Sequence, residues 1–126
     1  MTTIDIALFS RLVYLTFNKT EFSNDEKRAF DECKAIRDMG LSHLTLQLLR
    51  YRAKMETEFL SNYKQCMNDL NDRLKNEKIE DRIQRNWVIP LAAFHTLEAV
   101  IDVPFSYKEM LDIVVTGIIR QNQECK

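Results

Sequence analysis

Apolar residues along this chain change their spacing once, near residue 22. Residues 12–17 read Leu-Val-Tyr-Leu-Thr-Phe, with Val13, Leu15 and Phe17 on one side and Leu12 and Tyr14 on the other. Alternation that is apolar on both sides predicts a β-strand covered on both faces, with the residues before it forming a loop. A lone strand leaves its backbone N–H and C=O groups unpaired. The pattern therefore predicts a sheet neighbour in another molecule, or in sequence that this chain lacks.

From Ser23 onward the apolar step is three or four, the period of a helix. Ser23 and Glu26 match a capping box and predict a helix running to about Met39, with Phe30, Cys33 and Ile36 inward and Gly40 as its left-handed stop. Leu44, Leu48, Tyr51, Met55, Phe59, Tyr63, Cys66, Leu70 and Leu74 then form one unbroken stripe. That stripe predicts a single helix of about thirty residues, roughly 45–50 Å long, capped by Ser42. Residues 71–78 are polar and predict a turn.

A further helix follows from Ile79, apolar nearly all round through Trp87, Leu91, Phe94 and Leu97, with a kink or break expected at Pro90. Ser106 and Glu109 form a second capping box, opening a last helix whose inner face is predicted at Met110, Ile113, Val114 and Ile118. Residues 120–126 are expected to fray. The fold class is mainly α: an irregular bundle of about four to five helices with one short N-terminal β-strand, its core at Leu48, Met55, Trp87, Leu91, Phe94, Leu97 and Ile113.

Composition narrows the function classes. Only two glycines and two prolines in 126 residues argue against a multi-stranded β fold, and 45% hydrophobic with 29% charged residues is ordinary for a globular domain. Eighteen Lys and Arg against 19 Asp and Glu leave no overall field to draw the chain onto DNA or a membrane. The sequence shows no secretory signal pattern and no apolar run of about 18 residues, so neither export nor membrane insertion is expected. Cys33, Cys66 and Cys125 lie far apart, without the Cys/His pairing of a zinc site, and are expected to be reduced thiols in the cytoplasm.

Catalytic chemistry is hard to find. A phosphate-cradling G-x-x-x-x-G-K-[ST] loop is impossible with glycine only at 40 and 117, and His43 and His95 stand in no metal or nucleophile motif. Arg50, Arg52 and Lys54, followed by Lys75, Lys78, Arg82 and Arg85, could form a modest phosphate-contacting stripe, with Glu77, Glu80 and Asp81 diluting the second group. Arg120, Gln121, Asn122 and Gln123 carry the residue types of a DNA-reading helix, but at its fraying end. Arg11 directly precedes the predicted strand, at the rim of a sheet. It either keeps that rim solvated or reaches a phosphate bound to a neighbour, as an arginine finger does.

Residues 6–17, Ile-Ala-Leu-Phe-Ser-Arg-Leu-Val-Tyr-Leu-Thr-Phe, with Lys-Thr-Glu-Phe-Ser at 19–23, resemble the end of the ATPase core in DNA primase-helicase proteins of bacterial mobile elements. Gly40-Leu-Ser-His-Leu-Thr45, Asn86-Trp-Val-Ile-Pro-Leu-Ala-Ala-Phe94 and Pro104-Phe-Ser-Tyr107 resemble the helical region that follows that core. The resemblance implies residues 1–22 as a remnant loop and strand of the ATPase core and residues 23–126 as a helical carboxy-terminal module. It implies that ATP and Mg belong to the parent enzyme only, with no cofactor held here. Arg11 would then be a finger or sensor for a neighbouring nucleotide site, and the isolated chain would not be an active enzyme. The expected partners are the missing ATPase core or a second copy, with DNA reached through the parent protein. The other reading of the same residues is a small helical regulatory protein that self-associates through its long helix and exposed strand.

Overall fold

The computed structural model describes residues 3–17 and 23–125, and among them the protein is mainly α, with six helices and no β-strand. They are α1 (Thr3–Phe9), α2 (Asn24–Met39), α3 (Ser42–Leu49), α4 (Arg52–Leu74), α5 (Asp81–Leu97) and α6 (Tyr107–Glu124). Two compact units divide the chain: Met1–Leu15 with Lys54–Lys126, and Thr16–Ala53. The amino-terminal segment therefore belongs with the carboxy-terminal helices, a different division from one at residue 22. The polar stretch 18–22 lies outside the described residues.

The larger unit packs α4, α5 and α6 around one core. Cys66, Leu70 and Leu74 come from α4, Ile83, Trp87, Val88, Leu91 and Ala92 from α5, and Leu111, Val114, Val115 and Ile118 from α6. These are steps of three and four, one face per helix, and each fully buried aliphatic side chain contributes about 1.5–3 kcal/mol. Trp87 and Leu91 are core as expected, and Phe94, Leu97 and Met55 are half-buried. Ile113 is not: it is 58% exposed, because the buried face of α6 runs through Leu111, Val115 and Ile118 and places Ile113 on the other side. Helix continues where a kink or break, and later fraying, were expected. α5 continues through Pro90 without a break, and α6 stays helical to Glu124 with Gln121 and Asn122 buried.

Ser106 opens α6 with the predicted capping box: its Oγ accepts from the Glu109 N–H at 3.3 Å, and its own N–H donates to Glu109 Oε2 at 2.7 Å. Those bonds from the Ser106 backbone and hydroxyl hold the Glu109 carboxyl below the usual carboxylate range.

The smaller unit contains α2 and α3. α2 starts at the predicted Ser23/Glu26 capping box, and Gly40 ends it at φ 93°, a backbone region closed to most side chains. α3 begins after Leu41, which makes no side-chain cap, rather than at a Ser42 cap. The expected single long helix is instead two. Arg50 N–H donates to Gln47 O and Tyr51 N–H to Leu48 O, tightening the chain into a turn between α3 and α4. No residue of α2 or α3 is buried, so Phe30, Cys33, Ile36 and Leu48 are exposed where the sequence pattern placed them inward.

The predicted strand at 12–17 is absent. Residues 4–9, expected as loop, lie in α1, which winds down through Ser10 N–H to Ile6 O and Arg11 N–H to Leu8 O. Residues 13–17 follow as irregular chain, with Leu12, Val13, Tyr14, Leu15 and Phe17 exposed. Alternating apolar residues make a strand only beside another strand, and none is present among the described residues; a side chain takes its place.

Candidate functional site

That side chain is Gln121, on the inner face of α6. Its Nε2 donates to the carbonyls of Phe9 at 2.9 Å and Leu12 at 2.8 Å, and its Oε1 accepts from the Tyr14 N–H at 3.2 Å and from Trp87 Nε1 at 2.7 Å. A primary amide offers two N–H donors and two acceptor lone pairs, and all four are used. Gln121 is fully buried. Asn86 adds a bond from Nδ2 to the Ser10 carbonyl at 3.2 Å, and the rings of Phe9 and Tyr14 meet with centroids 4.7 Å apart.

The adjacent amide holds a second segment. Asn122 Oδ1 accepts from the Glu80 N–H at 3.0 Å and its Nδ2 donates to the Lys78 carbonyl at 2.9 Å. Glu80 is the N-cap of α5 and makes no side-chain cap bond, so Asn122 fastens the start of that helix from across the bundle. Gln84 is likewise satisfied, by Asn71 Oδ1 at 2.6 Å. No buried side-chain N or O among the described residues lacks a partner. The last polar stretch, expected to fray, is in its first half a buried clamp. Its signal was present in the period: the inner positions 111, 114, 115 and 118 continue to 121 and 122.

A second polar cluster lies where α4, α5 and α6 approach. The Tyr107 hydroxyl donates to Asp69 Oδ2 at 2.6 Å and lies 3.5 Å from Cys66 Sγ, while the His95 ring stands over Tyr107 with centroids 4.3 Å apart. His95 Nδ1 and Glu98 Oε1 are 3.1 Å apart. Burial foremost, then the bonds to Asp69 and Cys66, pushes the Tyr107 phenol well above its usual range. Burial also raises the Cys66 thiol, with contact to the Tyr107 hydroxyl working the other way and the carboxylates of Asp69 and Glu98 adding. A fully buried thiol held protonated is a poor nucleophile, and a phenol that keeps its proton is a donor rather than a base. The cluster's chemistry is that of a hydrogen-bonded brace between helices. No group of three or more His, Cys, Asp or Glu among the described residues is placed to hold a metal.

The charged candidates are scattered. Arg11 stands exposed in the turn after α1, and the sheet rim on which its finger role was argued does not exist among the described residues. Its neighbour Ser10 is held by Asn86, which places the Arg11 backbone beside α5. Arg82 and Arg85 line a shallow hollow with Glu80, Asp81 and Asn86, and Arg85 pairs with Asp81 at 2.7 Å. Lys75 and Lys78 sit in the preceding loop, both exposed. Lys54 pairs with Glu58 at 2.7 Å, one helical turn on, while Arg50 and Arg52 fall in the smaller unit. Of the acids expected to dilute the second group, Asp81 pairs with Arg85 and Glu80 lines the same hollow. No helix among the described residues is long and apolar enough to cross a membrane. No family model, no curated protein and no solved structure matches this chain.

Proposed function

We propose that this chain is a non-catalytic helical interaction module, and that its setting is the carboxy-terminal region of a cytoplasmic mobile-element DNA primase/helicase. There it contributes oligomer contacts or DNA positioning to an ATPase core supplied by other polypeptide sequence. The observation that carries the interaction role is the number of exposed large apolar side chains on α2 and α3. Ile36, Met39, Leu44, Leu46, Leu48 and Leu49 are all exposed, with Met39 at 80% and Leu46 at 65%. Large apolar side chains exposed on amphipathic helices mark faces that another protein covers. The setting itself rests on the resemblance of the sequence segments.

The test mixes the chain with an ATPase core of the primase/helicase class and reads complex mass by light scattering. Met39→Glu and Leu46→Glu should dissolve the complex while leaving helix content unchanged. A chain that stays monomeric and adds no mass to the core would overturn the reading. So would ATP hydrolysis by the purified chain that Arg11→Ala abolishes. In the second reading, self-association through the same surface, those two variants should convert a dimer to a monomer with no core present.

A further inference from the structure

α1 and the turn that closes it, through Tyr14, are tied to α5 and α6 by main-chain groups meeting two side chains. Gln121 bonds the Phe9 carbonyl, the Leu12 carbonyl and the Tyr14 N–H, and Asn86 bonds the Ser10 carbonyl. Three of these four bonds converge on one amide, so they are made and lost together. Within the segment, Ser10 N–H donates to Ile6 O, Arg11 N–H to Leu8 O and Leu12 N–H to Phe9 O, which closes the helix on itself.

The segment packs on one side only. Ile6 and Phe9 are half-buried and Ser10 is buried, whereas Ala7, Leu8, Leu12, Val13 and Tyr14 are exposed. The buried hydrophobic core comes from α4, α5 and α6, and none of its members lies in α1 or its turn. That core does not need the segment in place. The converse fails, because α1 has seven residues and isolated helices below about 12–15 residues are marginal in water. Away from Gln121 and Asn86, α1 has nothing to keep it wound.

We infer that α1 and its closing turn form a latch that opens as one unit while α4, α5 and α6 stay folded, unwinding α1 and uncovering the amides of Asn86 and Gln121. Such openings lie below global unfolding and are read by hydrogen exchange.

Native-state amide exchange of the full chain tests this at two sites. The Ser10 N–H is bonded inside the α1 turn and the Tyr14 N–H to Gln121 on α6. Both should be protected to the same degree, and both should exchange at least about tenfold faster, relative to intrinsic rates, than the core amides of Val88 and Val115. Ala7→Gly, at an exposed position within α1, should speed Ser10 and Tyr14 together by about fivefold, the factor by which glycine weakens a helix against alanine. Ile83→Val, in the core, should speed Val88 and Val115 by about twofold to tenfold and leave Ser10 and Tyr14 unchanged. A response of Ser10 without Tyr14 to Ala7→Gly, or no protection at either amide, overturns the single unit. Protection of both equal to that of the core, with both following Ile83→Val, overturns the separate opening.

Discussion

Gly117→Ala should destabilise this protein although it replaces glycine by the best helix former inside a helix. Gly117 lies within α6, and its backbone is ordinary, since Gly40 alone has positive φ among the described residues. Intrinsic propensity would therefore favour alanine by about 1 kcal/mol. Space decides otherwise. A Cβ at 117 would stand 2.8 Å from Cζ2 and 2.9 Å from Cζ3 of Trp87, with Cη2 nearer still. Trp87 is buried, and its indole N–H is committed to Gln121 Oε1 at 2.7 Å, so the ring cannot slide away without straining that bond. Overpacking of a filled core costs about 1–3 kcal/mol, and weakening a buried hydrogen bond adds roughly 1 kcal/mol. The net loss is about 1–3 kcal/mol after the propensity gain. With a urea slope of about 2 kcal/mol/M, the unfolding midpoint followed by far-UV circular dichroism should fall by roughly 0.5–1.5 M. Trp87→Phe removes the ring atoms that meet the new methyl, so in that background the same substitution should cost at least about 1 kcal/mol less. A Gly117→Ala protein with an unchanged or higher midpoint would refute the packing argument.

Asn122→Ala leaves the Glu80 N–H and the Lys78 carbonyl without their partner; it should cost about 1–3 kcal/mol, with faster amide hydrogen exchange at residues 78–84 as the local readout. Tyr107 ionises near its ordinary value of about 10 when unfolded and higher when folded, so the unfolded state loses its proton first and stability should decline as pH rises beyond that value. Urea midpoints measured against pH should show this slope, and Tyr107→Phe should remove it. Cys33 is exposed, Cys125 half-buried and Cys66 fully buried, so a thiol reagent such as DTNB should label Cys33 first and reach Cys66 only on unfolding; rapid labelling of Cys66 in native protein would contradict the packing of α4.

The parts of the fold that could be read from the sequence are those that local chemistry decides. Both capping boxes, the positive-φ glycine at 40 and the apolar faces of α5 and much of α6 follow from neighbours within about four residues. The break at Arg50 and Tyr51 does not, because the apolar step runs through it unchanged from Leu48 to Met55. Periodicity also says which face is apolar without saying whether anything covers it. Leu48 and Leu74 belong to the same stripe, yet Leu48 is exposed and Leu74 buried. Of the candidate site, the acidic dilution around Arg82 and Arg85 was legible. The role of Gln121 was not, since an amide on an apolar face says nothing of which distant carbonyl it will meet.

Gln121 and Asn122 do from one helix what two other devices usually do from the chain itself. Gln121 gives the carbonyls at the closing turn of α1 and the Tyr14 N–H beyond it the partners that the chain itself leaves them without, and Asn122 gives the start of α5 the acceptor that a capping serine would give. Adjacent positions on a helix point about 100° apart, so two neighbouring amides can serve two separate segments. The two duties differ in cost. Asn122 joins residues 42 and 44 positions away, whereas the bonds from Gln121 to the amino-terminal segment span 107 to 112 positions. Closing the longer loop costs more chain entropy, and the segment returns only three hydrogen bonds from Gln121 and one from Asn86. The core of α4, α5 and α6 should therefore form before residues 9–14 dock, and in pulse-labelled refolding the amides of that core should gain protection before the Tyr14 amide.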